Sequence, residues 1–297
     1  MYAAHFGLRE LPFGITPDTS FFFACNTYQE ALNTLVIAVR NGEGFIKITG
    51  EVGTGKTMLC RKFLASLDEG FVSAYIPNPY LEPRTLMLAL ADELEIGIEK
   101  DADQHQLLKS INQRLLQLAA EDKRVVLCLD EAQAMPLETL EALRLLTNLE
   151  TEKRKLLQIV LFGQPELDAH LSQESIRQLK QRITFHYRLA PLNRDDMAFY
   201  VAHRLSTAGY QGGRLFKPNA LKLLHAASGG TPRLVNILAH KALMLAYGEG
   251  MHEVVARHVR AAADDTGAAR HGIWGWLALA GTVFVAAGCG IAWTYFR

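Results

Sequence analysis

Eight consecutive residues, Gly50-Glu51-Val52-Gly53-Thr54-Gly55-Lys56-Thr57, restrict this chain more than any other stretch. They fill every fixed position of the phosphate-binding pattern GxxxxGK[ST]. Glycines let the backbone N–H groups curl around phosphate oxygens at the start of a helix. Lys56 then meets the β- and γ-phosphates and the Thr57 hydroxyl meets Mg²⁺. Such a loop works only between a strand and a helix. Gly44 to Thr49 (GFIKIT) supplies the apolar strand, and Lys56 to Leu67 the helix, with Met58 next in line beside the nucleotide. A glycine turn without a ligand is the alternative, and the flanking elements favour the phosphate loop.

The remaining pattern fits that context. Gly70 to Ile76, Arg124 to Leu129, Leu156 to Phe162 and Ile183 to Leu189 read as further short apolar strands. Helical spacing appears near Pro83 to Leu94 and at Gln106 to Ala120. Near-continuous apolar strands alternating with helices predict an α/β fold, a parallel sheet covered on both faces. After Pro191 the strands stop, and helices are expected to start near Asp195, Pro218, Pro232 and Glu253, with Gly229-Gly230 as a break. The expected organisation is a nucleotide-binding core over 1–190, a small all-α lid over 191–262, a tether over 263–272 and a membrane helix over 273–296.

Several side chains carry candidate chemistry. The strand RVVLCL runs into Asp130-Glu131. Opposite a phosphate loop, Asp130 helps hold magnesium, as in P-loop NTPases, and Glu131 orients or deprotonates the attacking water. A solvated acidic strand end is the bland reading. Gln164 ends another strand and is a water-positioning candidate, although a Gln before Pro165 also suits a turn. Asn78 either pairs with Glu131 and holds it inactive or simply forms a turn before Pro79. Pro232 suits a first helical position, which projects Arg233 from the first turn, towards the γ-phosphate or merely to solvent. Arg177 and Arg182 precede the last strand, and either suits an arginine finger for a neighbouring subunit, with Arg182 preferred.

From Ile273 to Phe296 the chain has 24 residues without a charge. A helix of that length reaches about 36 Å, enough for a hydrocarbon core of about 30 Å. Trp274 and Trp276 lie at one end, Trp293 and Tyr295 at the other, where amphipathic rings favour the interface. Gly288 and Ala292 offer a small-residue contact face. Arg257, Arg260 and Arg270 precede the segment and only Arg297 follows it, which predicts a single span with a cytoplasmic N-terminal body. The N-terminus lacks the basic head and apolar run of a signal peptide. Cys25, Cys60, Cys128 and Cys289 are far apart and form no CxxC pair, so neither a zinc site nor a disulfide framework is indicated. With 31 Lys+Arg against 31 Asp+Glu, the zero net charge argues against a general nucleic-acid binder, and none is expected as a partner.

Taken together, these motifs resemble those of AAA+ ATPases and, more narrowly, of the ExeA/GspA-type secretion ATPases. The opening YAAHFGLRELPFGITPDTSFFF is similar to that family's N-terminal signature, and GEVGTGKT, LDEAQ, LFGQPEL, LKQRI and GGTPRLVN follow in the family's order. The resemblance implies ATP and Mg²⁺ as ligands, a homo-oligomer, Pro12 and Phe13 near the adenine, and Gln164 and Arg233 as first and second sensors. The family usually carries a periplasmic peptidoglycan-binding region after its span. This sequence stops at Arg297, so that function is not carried over. A single ATPase body with a terminal span is similar to the ATPases of mannose-sensitive haemagglutinin (MSHA) pilus biogenesis. The expected function is therefore ATP hydrolysis at the bacterial inner membrane, assisting assembly of a type IV-like pilus or a type II secretion apparatus. Two other classes compete: a DNA-associated ATPase of the transposition-helper or initiator kind, and a nucleotide-gated scaffold with little hydrolysis.

Overall fold

The computed structural model describes residues 2–98, 103–146, 149–150 and 154–267. In chain order the first half contains α1 (Tyr2–His5), α2 (Asn26–Arg40), β1 (Phe45–Gly50), α3 (Lys56–Leu64), β2 (Phe71–Ile76), α4 (Pro83–Glu93), α5 (Gln104–Ala120) and β3 (Arg124–Leu129). The second half contains α6 (Leu137–Leu146), β4 (Leu157–Gly163), α7 (Glu166–Leu171), α8 (Arg177–Lys180), β5 (Phe185–Leu189), α9 (Arg194–Thr207), α10 (Pro218–Ser228), α11 (Pro232–Gly248) and α12 (Ala256–Thr266). The chain divides into two compact units: one holds Pro17–Pro191, the other Met1–Thr16 and Leu192–Arg297.

The Pro17–Pro191 unit is a five-stranded parallel sheet in the order β2-β3-β4-β1-β5. This is the P-loop NTPase fold, with helices on both faces. Strands β1 and β4 are buried along their whole length, and β3 everywhere but Arg124. Central strands covered on both faces are mostly apolar, which explains their near-continuous hydrophobic runs. One face carries Phe45, Leu127, Leu129, Ile159 and Leu161 into a core with Leu86 and Leu90 of α4, Ile111 and Leu115 of α5, and Leu140 and Leu143 of α6. Side chains alternate along a strand, so Ile46, Ile48, Val126, Cys128, Val160 and Phe162 fill the opposite face. Three buried polar residues, Lys47, Thr49 and Gln158, interrupt the pattern, and Lys47 and Gln158 find partners on neighbouring elements. Gln158 donates from Nε2 to the carbonyls of Val39 and Glu43, each at 2.9 Å, and Lys47 pairs with Asp168.

Strand register decides where the chemistry falls. Thr49 pairs with Gly163, and Leu129 with Leu161. The C-terminal ends of β1, β4 and β3 therefore line one edge, with β4 in the middle.

In the other unit, α9 to α12 begin close to the expected starts, with proline early in α10 and α11 where its missing N–H costs nothing. Gly230 holds φ +74, and a Cβ there would lie 2.0 Å from the Leu192 carbonyl oxygen. That close approach admits only glycine and lets the Leu192 N–H donate to the Gly230 carbonyl at 2.9 Å.

Two expected boundaries are corrected. Residues 1–16 were expected with the sheet, but they pack in the helical unit. Arg204, buried in α9, donates from Nε to the Pro12 carbonyl and from Nη2 to that of Gly14 at 3.4 Å, and Asn236 Nδ2 reaches Gly14 at 3.1 Å. A buried guanidinium needs several acceptors, and this N-terminal segment supplies them. The expected tether over 263–272 also starts too early. Helix α12 continues to Thr266, burying Ala262 and Ala263, with Gly267 in the left-handed conformation as its cap. The expected span over 273–296 lies outside the described residues, and among the described residues no helix is long and apolar enough to cross a membrane.

Candidate functional site

The loop between β1 and α3 takes the conformation its glycines imply. Gly55 sits at φ +90 immediately before the helix. A Cβ there would meet the Tyr28 hydroxyl at 2.6 Å, so conformation and space both require glycine. Tyr28, buried at the start of α2, donates that hydroxyl to the Thr54 carbonyl. Thr54 is itself buried and donates to the Glu51 carbonyl at 2.8 Å. The loop is thus braced from behind by side chains, while Glu51 and Val52 are exposed.

Lys56 is buried in the first turn of α3, where its Nζ donates to the carbonyls of Gly50 at 2.8 Å and Glu51 at 3.0 Å. Burial lowers its pKa below the ordinary lysine value, and the carboxylates of Glu131, Asp130, Glu51 and Glu166 oppose that shift. Next to it, Thr57 donates its hydroxyl to Asp130 Oδ2 at 2.6 Å. Asp130 Oδ1 accepts the Glu131 N–H at 3.0 Å, and the Tyr75 hydroxyl stands 3.5 Å from Oδ2. Burial raises the Asp130 carboxyl's pKa above the ordinary aspartate value, opposed by the Thr57 hydroxyl, the Glu131 N–H and Lys56. Tyr75 is pushed up to about 12 by burial and by the Asp130 charge.

Glu131 follows at φ +53, a conformation that costs a non-glycine residue roughly 1–3 kcal/mol and concentrates at functional sites. Its Oε2 accepts from Gln133 Nε2 at 2.5 Å and from Gln164 Nε2 at 3.1 Å. The Gln164 N–H donates to Gln133 Oε1 at 3.0 Å. Lys56, Thr57, Asp130, Glu131 and Gln164 therefore converge from the ends of three adjacent strands. Their donor set fits a nucleotide triphosphate with Mg²⁺: an ammonium in a glycine loop at a helix N-terminus, facing a hydroxyl–carboxylate pair.

The other expected residues fall elsewhere. The Asn78 side chain accepts its own turn's Tyr80 N–H at 3.3 Å, while the partners of Glu131 are Gln133 and Gln164. Arg182 is half-buried, and its Nη1 donates to the Arg144 carbonyl of α6 at 3.4 Å. Arg177 is exposed at the start of α8. Arg233 is exposed in the first turn of α11, within the helical unit. Pro12 and Phe13 belong to that unit too, and Phe13 packs edge-on against Phe216 at 5.9 Å. Cys25, Cys60 and Cys128 are buried and not in disulfides, and Cys289 lies outside the described residues.

Sequence reasoning missed Tyr28, Tyr75 and Gln133. Gln133 left a signal, since it completes the run Asp130-Glu131-Ala132-Gln133. Tyr28 left none, because its target is 26 residues away.

Comparison with known proteins agrees with this geometry. Residues 39–171 match the AAA domain family. General secretion pathway protein A of Aeromonas hydrophila is 43% identical over 300 residues, covering 100% of this chain and 54% of that protein. The chain thus spans about half the length of the curated relative it matches. Among solved structures, the Cdc6p protein of Pyrobaculum aerophilum superposes with a TM-score of 0.65 at 19% identity, covering 89% of this chain and 70% of its own. The ORC2 protein of Aeropyrum pernix, in ADPNP–ADP complexes, gives 0.60 at 17% identity, covering 84% and 72%. At such identities the likeness speaks for the fold alone.

Proposed function

We propose, from an AAA domain built on this loop and from similarity along the whole of this chain to half of a secretion-pathway relative, that the chain is an ATPase of the ExeA/GspA type. The observation that carries the reading is the Thr57–Asp130 hydrogen bond at 2.6 Å beside buried Lys56, with Glu131 one residue further on. Lys56 would exchange its two carbonyl partners for the β- and γ-phosphate oxygens. Thr57 and Asp130 would hold Mg²⁺, which supplies charge neutralisation on the phosphates when bound. Glu131 takes a proton from the attacking water as its oxygen bonds the γ-phosphorus. The bond to the β–γ bridging oxygen breaks, and ADP and phosphate leave. Gln164 keeps the water in line. Arg177 or Arg182 would complete a neighbouring subunit's site in a homo-oligomer, and the exposure of Arg177 makes it as good a finger as Arg182. Arg233 reports nucleotide state to the helical unit.

The output we propose is assembly of a type IV-like pilus, of the MSHA kind, or of a type II secretion apparatus at the bacterial inner membrane. The 43% identity to general secretion pathway protein A supports the secretion link, and the uncharged stretch 273–296 supports a membrane anchor with a cytoplasmic body. The fold likeness to Cdc6p and ORC2 brings no DNA role with it, and the zero net charge does not favour a generally basic nucleic-acid binder.

Lys56→Ala tests the loop. The variant should fold and lose roughly 10- to 100-fold in ATP affinity, because a charge-assisted contact to phosphate is gone. Titration calorimetry showing parental affinity in the folded variant would remove the loop from the account.

A further inference from the structure

We propose that Gln133 is the positioning residue for the catalytic carboxylate of Glu131, an inference that rests on reading Glu131 as the base. Its single side-chain amide uses both ends. Nε2 donates to Glu131 Oε2 at 2.5 Å, and Oε1 accepts the main-chain N–H of Gln164 at 3.0 Å. The contact joins the second residue after β3 to the first after β4. Gln133 itself stands on a tight turn, Ala132–Ala134, closed by the Ala134 N–H donating to the Glu131 carbonyl at 2.9 Å.

The arrangement has a consequence for the two carboxylate oxygens. Both amide donors, Gln133 and Gln164, lie on Oε2, which leaves Oε1, on which neither sits, as the oxygen to take a proton. Gln164 is also the side chain nearest in role to the γ-phosphate, and a Gln164 amide turned towards phosphate lets go of Glu131. Gln133 does not depend on that choice, because it grips the Gln164 main chain rather than its side chain. It therefore keeps Oε2 fixed, and with it the aim of Oε1, while the Gln164 amide changes partners. The left-handed backbone at Glu131, φ +53, points its side chain into this clamp.

The test compares Gln133→Ala with Gln133→Glu in the full chain, using Mg²⁺ and ATP. Gln133→Glu keeps the shape and the acceptor for Gln164 but faces Glu131 with an oxygen in place of the donor. Both variants should lose about 10- to 100-fold in kcat, the scale of a misplaced reacting group, with unchanged affinity for a fluorescent ATP analogue and unchanged melting temperature. Parental kcat in both would overturn the positioning role. So would a joint fall of affinity and melting temperature, which marks a merely structural contact. Glu131→Gln, run alongside, separates the layers. Parental turnover there overturns the base assignment, whereas its loss with parental kcat in both Gln133 variants overturns only the clamp.

Discussion

Asp130 shows how function and stability pull apart at a single residue. Its carboxylate is buried beside Thr57, where the proposed Mg²⁺ would be held, and burial raises its pKa above the ordinary aspartate value. The folded chain thus binds that proton more tightly than the unfolded chain does. Without nucleotide, the Asp130 contribution to stability is present at low pH and falls as pH rises from the ordinary aspartate value through the raised one. Asp130→Asn should flatten that slope and raise the stability of the nucleotide-free protein by roughly 1 kcal/mol, while abolishing the Mg²⁺-dependent tightening of ATP. Thermal melts across pH, with and without Mg²⁺–ATP, check both halves; an Asn variant that melts lower without ligand would contradict the argument. Much of this site was legible in the sequence. The loop and Asp130-Glu131 follow fixed local spacings, whereas Tyr28 and Tyr75 reach it only through tertiary packing, which spacing does not encode.

Elements were legible where their apolar pattern is local and strong. All five expected strands are present within two residues of their expected limits, and for the central β1, β3 and β4 the reason is that a strand buried on both faces has little room for polar residues. Helices α2 and α6 went unremarked, although α2 buries Tyr28, Ala31, Leu35, Ala38 and Val39 at helical spacing. The short polar tail of α12 was misread as a tether for a clear reason. The whole helix, ARHVRAAADDT, is rich in small and charged residues, and only the packed unit shows Ala262 and Ala263 buried. Lys241 also holds its last turn, donating to Asp265 at 2.7 Å and Thr266 at 2.9 Å. Ending the chain after Arg260 should therefore cost the helical unit about 1–3 kcal/mol relative to ending it after Gly267. Equal melting temperatures for the two lengths would show that this last turn contributes nothing.

At the scale of the whole molecule, the chain joins a P-loop sheet to a helical unit that also recruits residues 1–16. The N-terminal signature was legible as a motif but not as a location, since its partners Arg204 and Asn236 lie far along the chain. The three adjacent strands β3, β4 and β1 bring Asp130, Gln164 and the phosphate loop to one edge, and that order is the basis of the proposed hydrolysis. In the proposed function, the output depends on ATP being cleaved at this edge. The most direct measurement is therefore the fate of ATP on Glu131→Gln, which keeps the loop, Lys56 and the Thr57–Asp130 pair. Radiolabelled ATP and Mg²⁺ are added to the purified full chain, and bound nucleotide and released phosphate are followed in time. The account expects ATP to bind with parental affinity and stay intact, with phosphate release at least about a hundredfold slower than in the parent. Phosphate release at the parental rate would contradict it.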